Sequence, residues 1–197
     1  DSDFQPNVEA ILNTVDSNSK LLFVCSPNNP TGNSISTEKI QQLLHSFPGL
    51  VIIDEAYIDF SSAQSWVSKL AEYPNLVVTQ TLSKAYGMAG IRLGICIASK
   101  QIIEVLNKIK PPYNVNELTQ QSAKERVSNQ EAVEQEITAI LTERKLLKET
   151  LSEVSFVSKI YTSDANFILA KVDDASKRYD QLLEKGIVVR NRTTQPL

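Results

Sequence analysis

Three short apolar runs, at residues 21–25, 50–53 and 76–81, each stop abruptly at a polar cluster. No other feature constrains the fold as much. Continuous runs of this length, rich in Leu, Val and Ile, suit strands buried on both faces of a parallel sheet. Parallel neighbours need a crossover between them. Ile40, Leu43, Leu44 and Phe47 recur at helical spacing between the first two runs, with Ser36 placed to cap and Glu38 in the first turn. A fourth run, Leu93 to Ala98, follows a glycine-containing loop, and Ile102, Ile103, Leu106 and Ile109 mark another amphipathic helix. The succession predicts an α/β fold: a parallel or mixed sheet with helices on both faces.

Pro111-Pro112 breaks the chain, and its character changes there. From about Glu117 to Leu151 helix formers dominate. Val133, Ile137, Ile140, Leu141, Leu147 and Leu151 keep one apolar face through a single long helix, with the charges of 124–149 on its solvated side. Strands are expected at 154–157 and 167–172, a helix at 175–185 ending at Gly186, and a last strand at 187–190. This divides the chain into an α/β unit (1–112), connecting helices (113–152) and part of a smaller α+β unit (153–197).

Composition narrows the function. Twenty basic residues against twenty-three acidic ones leave a net charge of −3, which argues against a nucleic-acid binder. No apolar stretch is long enough for a membrane-spanning helix. A single histidine, His45, excludes sites built on two; beside Leu43 and Leu44 it reads as a surface or boundary residue. Cys25 and Cys96 lie in apolar runs and read as buried free thiols of a reducing compartment. Trp66 reads as packing. Neither end, Asp1 or Gln195-Pro196-Leu197, looks like a natural terminus, so the chain is expected to be an internal piece of a longer protein and inactive alone.

The polar clusters follow the first three strands, where ligands bind in open α/β sheets. Each has a plain alternative. Pro27-Asn28-Asn29-Pro30-Thr31-Gly32 suits a tight turn. Asp54-Glu55 suits a helix cap. Lys84 suits a solvated loop. Together they suggest more. An amine at a strand end suits Schiff-base formation with an aldehyde. Ser83 just before it and Arg92 eight residues after it suit a phosphate monoester. Tyr57, three residues after Asp54, could reach the same ligand. An aspartate facing a pyridine nitrogen would keep that nitrogen protonated.

Ser-Pro-Asn-Asn-Pro-Thr-Gly (26–32), Asp-Glu-Ala-Tyr (54–57) and Ser-Lys-Ala-Tyr-Gly-Met-Ala-Gly-Ile-Arg-Leu-Gly (83–94) resemble the fold-type I pyridoxal-phosphate aminotransferases. Within them, the double Asn at 28–29, the stretch 54–60 and Ser163-Asp164-Ala165-Asn166-Phe167 are most similar to the histidinol-phosphate branch. The resemblance implies part of the three-layer large domain of that fold, followed by part of its small α+β domain. It implies pyridoxal 5'-phosphate held covalently by Lys84, which also carries protons. Asp54 would pair with the pyridinium nitrogen, Asn29 and Tyr57 would bond the phenolic oxygen, and Ser83 and Arg92 would hold the phosphate. Asn166 and Arg190 would lie near the substrate.

Transamination of histidinol phosphate with 2-oxoglutarate, by a cytoplasmic homodimer, is the implied activity. Threonine-phosphate decarboxylation, another amino-acid aminotransferase, or a non-catalytic binding protein on the same scaffold are the alternatives. Family members also carry an N-terminal phosphate cradle, an aromatic stacked on the cofactor, a subunit-crossing aromatic and a C-terminal arginine. None of these can be assigned in this sequence.

Overall fold

The computed structural model describes residues 3–194; Asp1 and 195–197, on which the reading of the chain ends rests, lie outside the described residues. Four strands, β1 (Leu21–Cys25), β2 (Leu50–Asp54), β3 (Leu76–Thr81) and β4 (Gly94–Ala98), form one sheet in the order β1-β2-β3-β4. The first three are parallel and β4 runs antiparallel to β3, so the sheet is mixed. Parallel pairing in sequence order brings the carboxyl ends of β1, β2 and β3 to one edge.

Helix α1 (Val8–Asn13) precedes the sheet, and α2 (Thr37–Ser46) makes the first crossover. The Ser36 side chain accepts from the Lys39 amide, as its position suggested. Ile40, Leu44 and Phe47 pack with Val51, Ile53, Leu76, Val78, Trp66 and Tyr73 on one face of the sheet. Full burial of each aliphatic chain stabilises the fold by about 1.5–3 kcal/mol. Trp66 is a core residue. His45 is exposed, its Nδ1 lying 2.8 Å from the Gln41 carbonyl and its ring edge-on to Tyr73.

Burial on both faces holds for β2 and β3 but not for β1. That strand is at the sheet edge, and Leu21 (56%) and Phe23 (67%) are exposed on the face opposite α2. Both cysteines are exposed free thiols, contrary to the expectation of buried ones, because they lie on that same open face. Helix α3 (Lys100–Ile109) follows β4 and carries no fully buried residue.

The single long helix is two helices, α4 (Glu117–Ser128) and α5 (Gln130–Ser152). Asn129, at φ −100° and ψ 61°, leaves the helical region and accepts the Ala132 amide as the cap of α5. An asparagine competes for backbone donors in this way wherever a helix can restart. Helix α5 packs Ile137, Ile140 and Leu141 on a second cluster of Tyr57, Phe60, Ala85 and Ala165. The stretch 124–149 is not wholly solvated: Arg126 pairs with Glu136 and donates to the Tyr86 carbonyl (2.9 Å), and Arg144 donates to the Ala165 carbonyl (2.5 Å).

The expected strand at 154–157 forms three residues later, as β5 (Val157–Ile160), and that at 167–172 forms only in its second half, as β6 (Ala170–Val172); the two make an antiparallel pair. Helix α6 (Ala175–Glu184) is capped by Asp174, and Gly186 follows it at φ +76°, the left-handed value that a helix stop of this kind requires. The expected strand at 187–190 does not form, because no described strand lies beside it to pair with. No helix among the described residues is long and apolar enough to cross a membrane.

Candidate active site

The tight turn after β1 is real, and it also aims a side chain. Asn28 N–H donates to the Asn33 carbonyl (2.9 Å), Gly32 N–H to the Asn28 carbonyl (2.7 Å), and Asn28 Nδ2 to Thr31 Oγ1 (2.7 Å). Both Ser26-Pro27 and Asn29-Pro30 are cis. Gly32 sits at φ +84°, and a Cβ there would come within 3.0 Å of Ser163 Oγ, so glycine is required twice over. The turn leaves Asn29 free to donate from Nδ2 to the Tyr57 hydroxyl at 2.9 Å.

Asp54 is the last residue of β2 and shares one row of the sheet with Cys25, Thr79 and Cys96. Its carboxylate accepts from the Ala56 amide (3.1 Å), Thr79 Oγ1 (3.4 Å) and Cys25 Sγ (3.9 Å). Partial burial pushes the Cys25 thiol up, with the Asp54 charge and hydrogen bond acting the same way; burial alone pushes Cys96 up. The helix-capping alternative does not hold: the 3-10 turn Ile58–Phe60 that follows has no side-chain cap, and Ser65 caps the turn Trp66–Lys69. Glu55 is 1% exposed, and its Oε1 accepts the amide of Trp66, which opens the 3-10 turn Trp66–Lys69. Its Oε2 accepts from Ser65 Oγ and Gln80 Nε2. Nearby, burial pushes the Asp59 carboxyl up, and the Glu55 charge adds to this.

Lys84 stands on the loop after β3. Buried Leu82 and Ala85 pin that loop, and Gly87 N–H donates to the Lys84 carbonyl (3.0 Å). The lysine side chain points outward, with Nζ 5.2 Å from the centre of the Tyr57 ring. Ser83 on the same loop accepts at Oγ from Thr81 Oγ1 (3.0 Å). Arg92 is exposed in the left-handed region (φ 56°), and its Nη1 donates to the Ala89 carbonyl (3.0 Å). No hydrogen bond joins Arg92 to Ser83.

Asn29, Tyr57 and Lys84 are thus in one cluster, although 28 positions separate Asn29 from Tyr57. Asp54 ends the strand between them. Asn166 is exposed beside Phe167, whose ring meets Tyr57 edge-on at 5.4 Å. Arg190 is exposed and makes no hydrogen bond to a described residue. Instead Arg192 Nη2 reaches Asn29 Oδ1 at 3.5 Å. The sequence assigned no role to Asp164 or Arg192 and only a helix cap to Glu55, though Glu55 and Asp164 stand inside quoted motifs. Two surface grooves of about 570 and 510 Å³ lie elsewhere, beside α1 and between α5 and β5, and contain none of these residues.

Chemically, the cluster offers an amine, a fixed carboxylate and a phenol. Tyr57 accepts from Asn29, so its own proton remains available for an outside oxygen. Ser83 accepts from Thr81, so its hydroxyl proton is likewise available.

Comparison with known proteins bears on the family and the fold. The chain is 67% identical over 196 residues to the histidinol-phosphate aminotransferase of Flavobacterium johnsoniae, covering 100% of this chain and 56% of that protein. The chain therefore spans about half the length of the curated relatives it matches. The crystal structure of histidinol-phosphate aminotransferase from Clostridium acetobutylicum superimposes with a TM-score of 0.89 at 28% identity, covering 98% of this chain and 60% of that one. The Sinorhizobium meliloti histidinol-phosphate aminotransferase, in complex with pyridoxal-5'-phosphate, shares the fold at a TM-score of 0.85 and 24% identity, over 97% and 54% of the two chains. The profile of the family Aminotransferase class I and II matches residues 1–196, and the chain belongs to that family.

Proposed function

We propose that the protein carrying this chain is a pyridoxal-phosphate-dependent aminotransferase that moves the amino group of histidinol phosphate to 2-oxoglutarate, in histidine biosynthesis. One observation carries the reading most: Asn29, Tyr57 and Lys84, from three separate motifs, meet at the strand ends beside Asp54. The identity to the Flavobacterium johnsoniae protein supports the substrate.

The donor set fits the cofactor. Pyridoxal phosphate, when bound, supplies an aldehyde carbon for an amine and a ring that withdraws electrons from the substrate α-carbon. Lys84 would hold that carbon covalently and would carry the proton at the substrate α-carbon. Asp54 would keep the ring nitrogen protonated as an ion pair. Asn29 and Tyr57 bond the ring oxygen, the phenol donating its free proton. Ser83 and Arg92 hold the phosphate, and Asn166 and Arg190 meet the substrate. In the same reading, residues 1–112 belong to the large domain, 113–152 connect, 153–197 belong to the small domain, and the whole protein is a cytoplasmic homodimer.

The test uses the intact protein. Borohydride reduction should fix a cofactor mass on the tryptic peptide holding Lys84, and Lys84→Ala should abolish it. Turnover is then followed with histidinol phosphate and, separately, with threonine phosphate. Trapping on another lysine refutes the anchor. Turnover of threonine phosphate with carbon dioxide release, and none of histidinol phosphate, refutes the substrate.

A further inference from the structure

Asp164 ties two distant stretches of chain together. Its carboxylate Oδ2 accepts the Ser34 amide (2.9 Å), and its own amide donates to the Gly32 carbonyl (2.7 Å). The residues around it are fixed from several sides. Ser163 Oγ donates to the Phe167 carbonyl (2.5 Å) and accepts the Ala165 amide (3.2 Å). Ala165 is fully buried, and its carbonyl accepts from Arg144. Phe167 abuts Tyr57, and the bare Cα of Gly32 admits Ser163. Within 163–167, Asn166 alone is exposed, and its side chain makes no hydrogen bond to a described residue.

We infer that Asp164 is a positioning residue for substrate affinity: it locks the 163–167 turn onto the Asn29 turn and thereby sets where Asn166 stands relative to Tyr57. The inference rests on the proposed function above. Asp164 touches neither Lys84 nor Asp54, so its loss should weaken substrate binding and spare cofactor attachment. A purely structural role would lower both together. The bond to Ser34 needs an acceptor oxygen at the right reach, not a charge.

The test measures KM and kcat for histidinol phosphate, with borohydride-trapped mass at Lys84 as an independent readout. Asp164→Ala should raise KM about tenfold or more, the effect of losing one hydrogen bond and leaving its donor unpaired, while kcat and trapped mass stay near wild type. Asp164→Asn keeps the acceptor and should restore KM to within about threefold of wild type. Asp164→Glu moves the carboxylate by one methylene, should also raise KM, and serves if the alanine variant does not fold. An unchanged KM in Asp164→Ala or Asp164→Glu overturns the inference. So does a rise in KM with a parallel loss of trapping, or an asparagine variant as impaired as the alanine one. If the wild type itself traps no cofactor at Lys84, the proposed function fails first and takes this inference with it.

Discussion

Replacing Glu55 tests whether a buried carboxylate organises the strand ends behind the site. Its oxygens receive three donors: the Trp66 amide at 2.7 Å, Ser65 Oγ at 2.6 Å and Gln80 Nε2 at 2.9 Å. In Glu55→Ala the Trp66 N–H stays buried without a partner, which costs about 1–3 kcal/mol. Ser65 and Gln80 lose charge-assisted bonds but are only part-buried and keep their own contact at 3.3 Å, so they add about 1 kcal/mol together. Relief of the desolvated charge offsets part of this. The net expectation is a loss of about 2–3 kcal/mol. Glu55→Gln keeps an oxygen for Trp66, while the Ser65 hydroxyl can rotate and the Gln80 amide can turn over to accept. That variant should lose only about 1 kcal/mol. Urea unfolding followed by fluorescence of Trp66, the single tryptophan in the chain, reports on this spot. With a slope near 2 kcal/mol per molar urea, the alanine midpoint should fall by about 1–1.5 M. A shift below about 0.3 M, or equal loss in the two variants, would refute the reasoning.

Asp54→Asn should leave the fold intact by circular dichroism and lower kcat at least about 100-fold, since an amide cannot hold a protonated ring nitrogen as an ion pair; near-normal turnover would remove that role. Cys25, though exposed, should be alkylated slowly at neutral pH, with a rate still rising beyond the ordinary thiol value of 9.0. Asp54→Asn takes away a nearby negative charge, so the Cys25 midpoint should move down and the Cys96 midpoint should not; mass spectrometry across a pH series would show an equal response if this were wrong. Gly49→Ala should destabilise by about 2–3 kcal/mol, because its Cβ would fall 2.1 Å from the Lys20 carbonyl oxygen; thermal melting at the wild-type temperature would contradict the contact.

The legible parts of the fold were those written as local rules. The apolar runs gave β1 to β4 because hydrophobic strands interrupted by turn residues have few other solutions. Ser36 and Gly186 marked helix ends because capping is settled within a few residues. What depends on a neighbour was not legible. Leu21 and Phe23 look like core residues in a run, but exposure on β1 is decided by its place at the sheet edge. Ile187 to Arg190 has strand composition and no partner strand. Asn129 interrupts a helix pattern that periodicity alone carries straight through. At the site, motifs named Asn29, Asp54, Tyr57 and Lys84. Asp164 and Arg192 act through contacts 130 and 163 positions away in sequence, which no spacing encodes.

The elements that carry the cluster differ in stiffness, and the difference matches the proposed chemistry. Asp54 closes a strand paired on both sides, and its carboxylate is held from the next turn and from both neighbouring strands. A counter-charge placed there stays where it is needed without reorganising. Tyr57 is buried and wedged by Phe167 while Asn29 fixes its hydroxyl, so its proton has one open direction. Lys84 is exposed at the end of a flexible stem, above the Tyr57 ring, on a loop whose backbone is pinned by Leu82 and Ala85. A group that must first bind and then carry a proton needs a fixed root and a mobile tip. The strand end, the wedged ring and the pinned loop supply a fixed charge, an oriented phenol and a tethered amine separately, so the proposed chemistry draws on all three motifs.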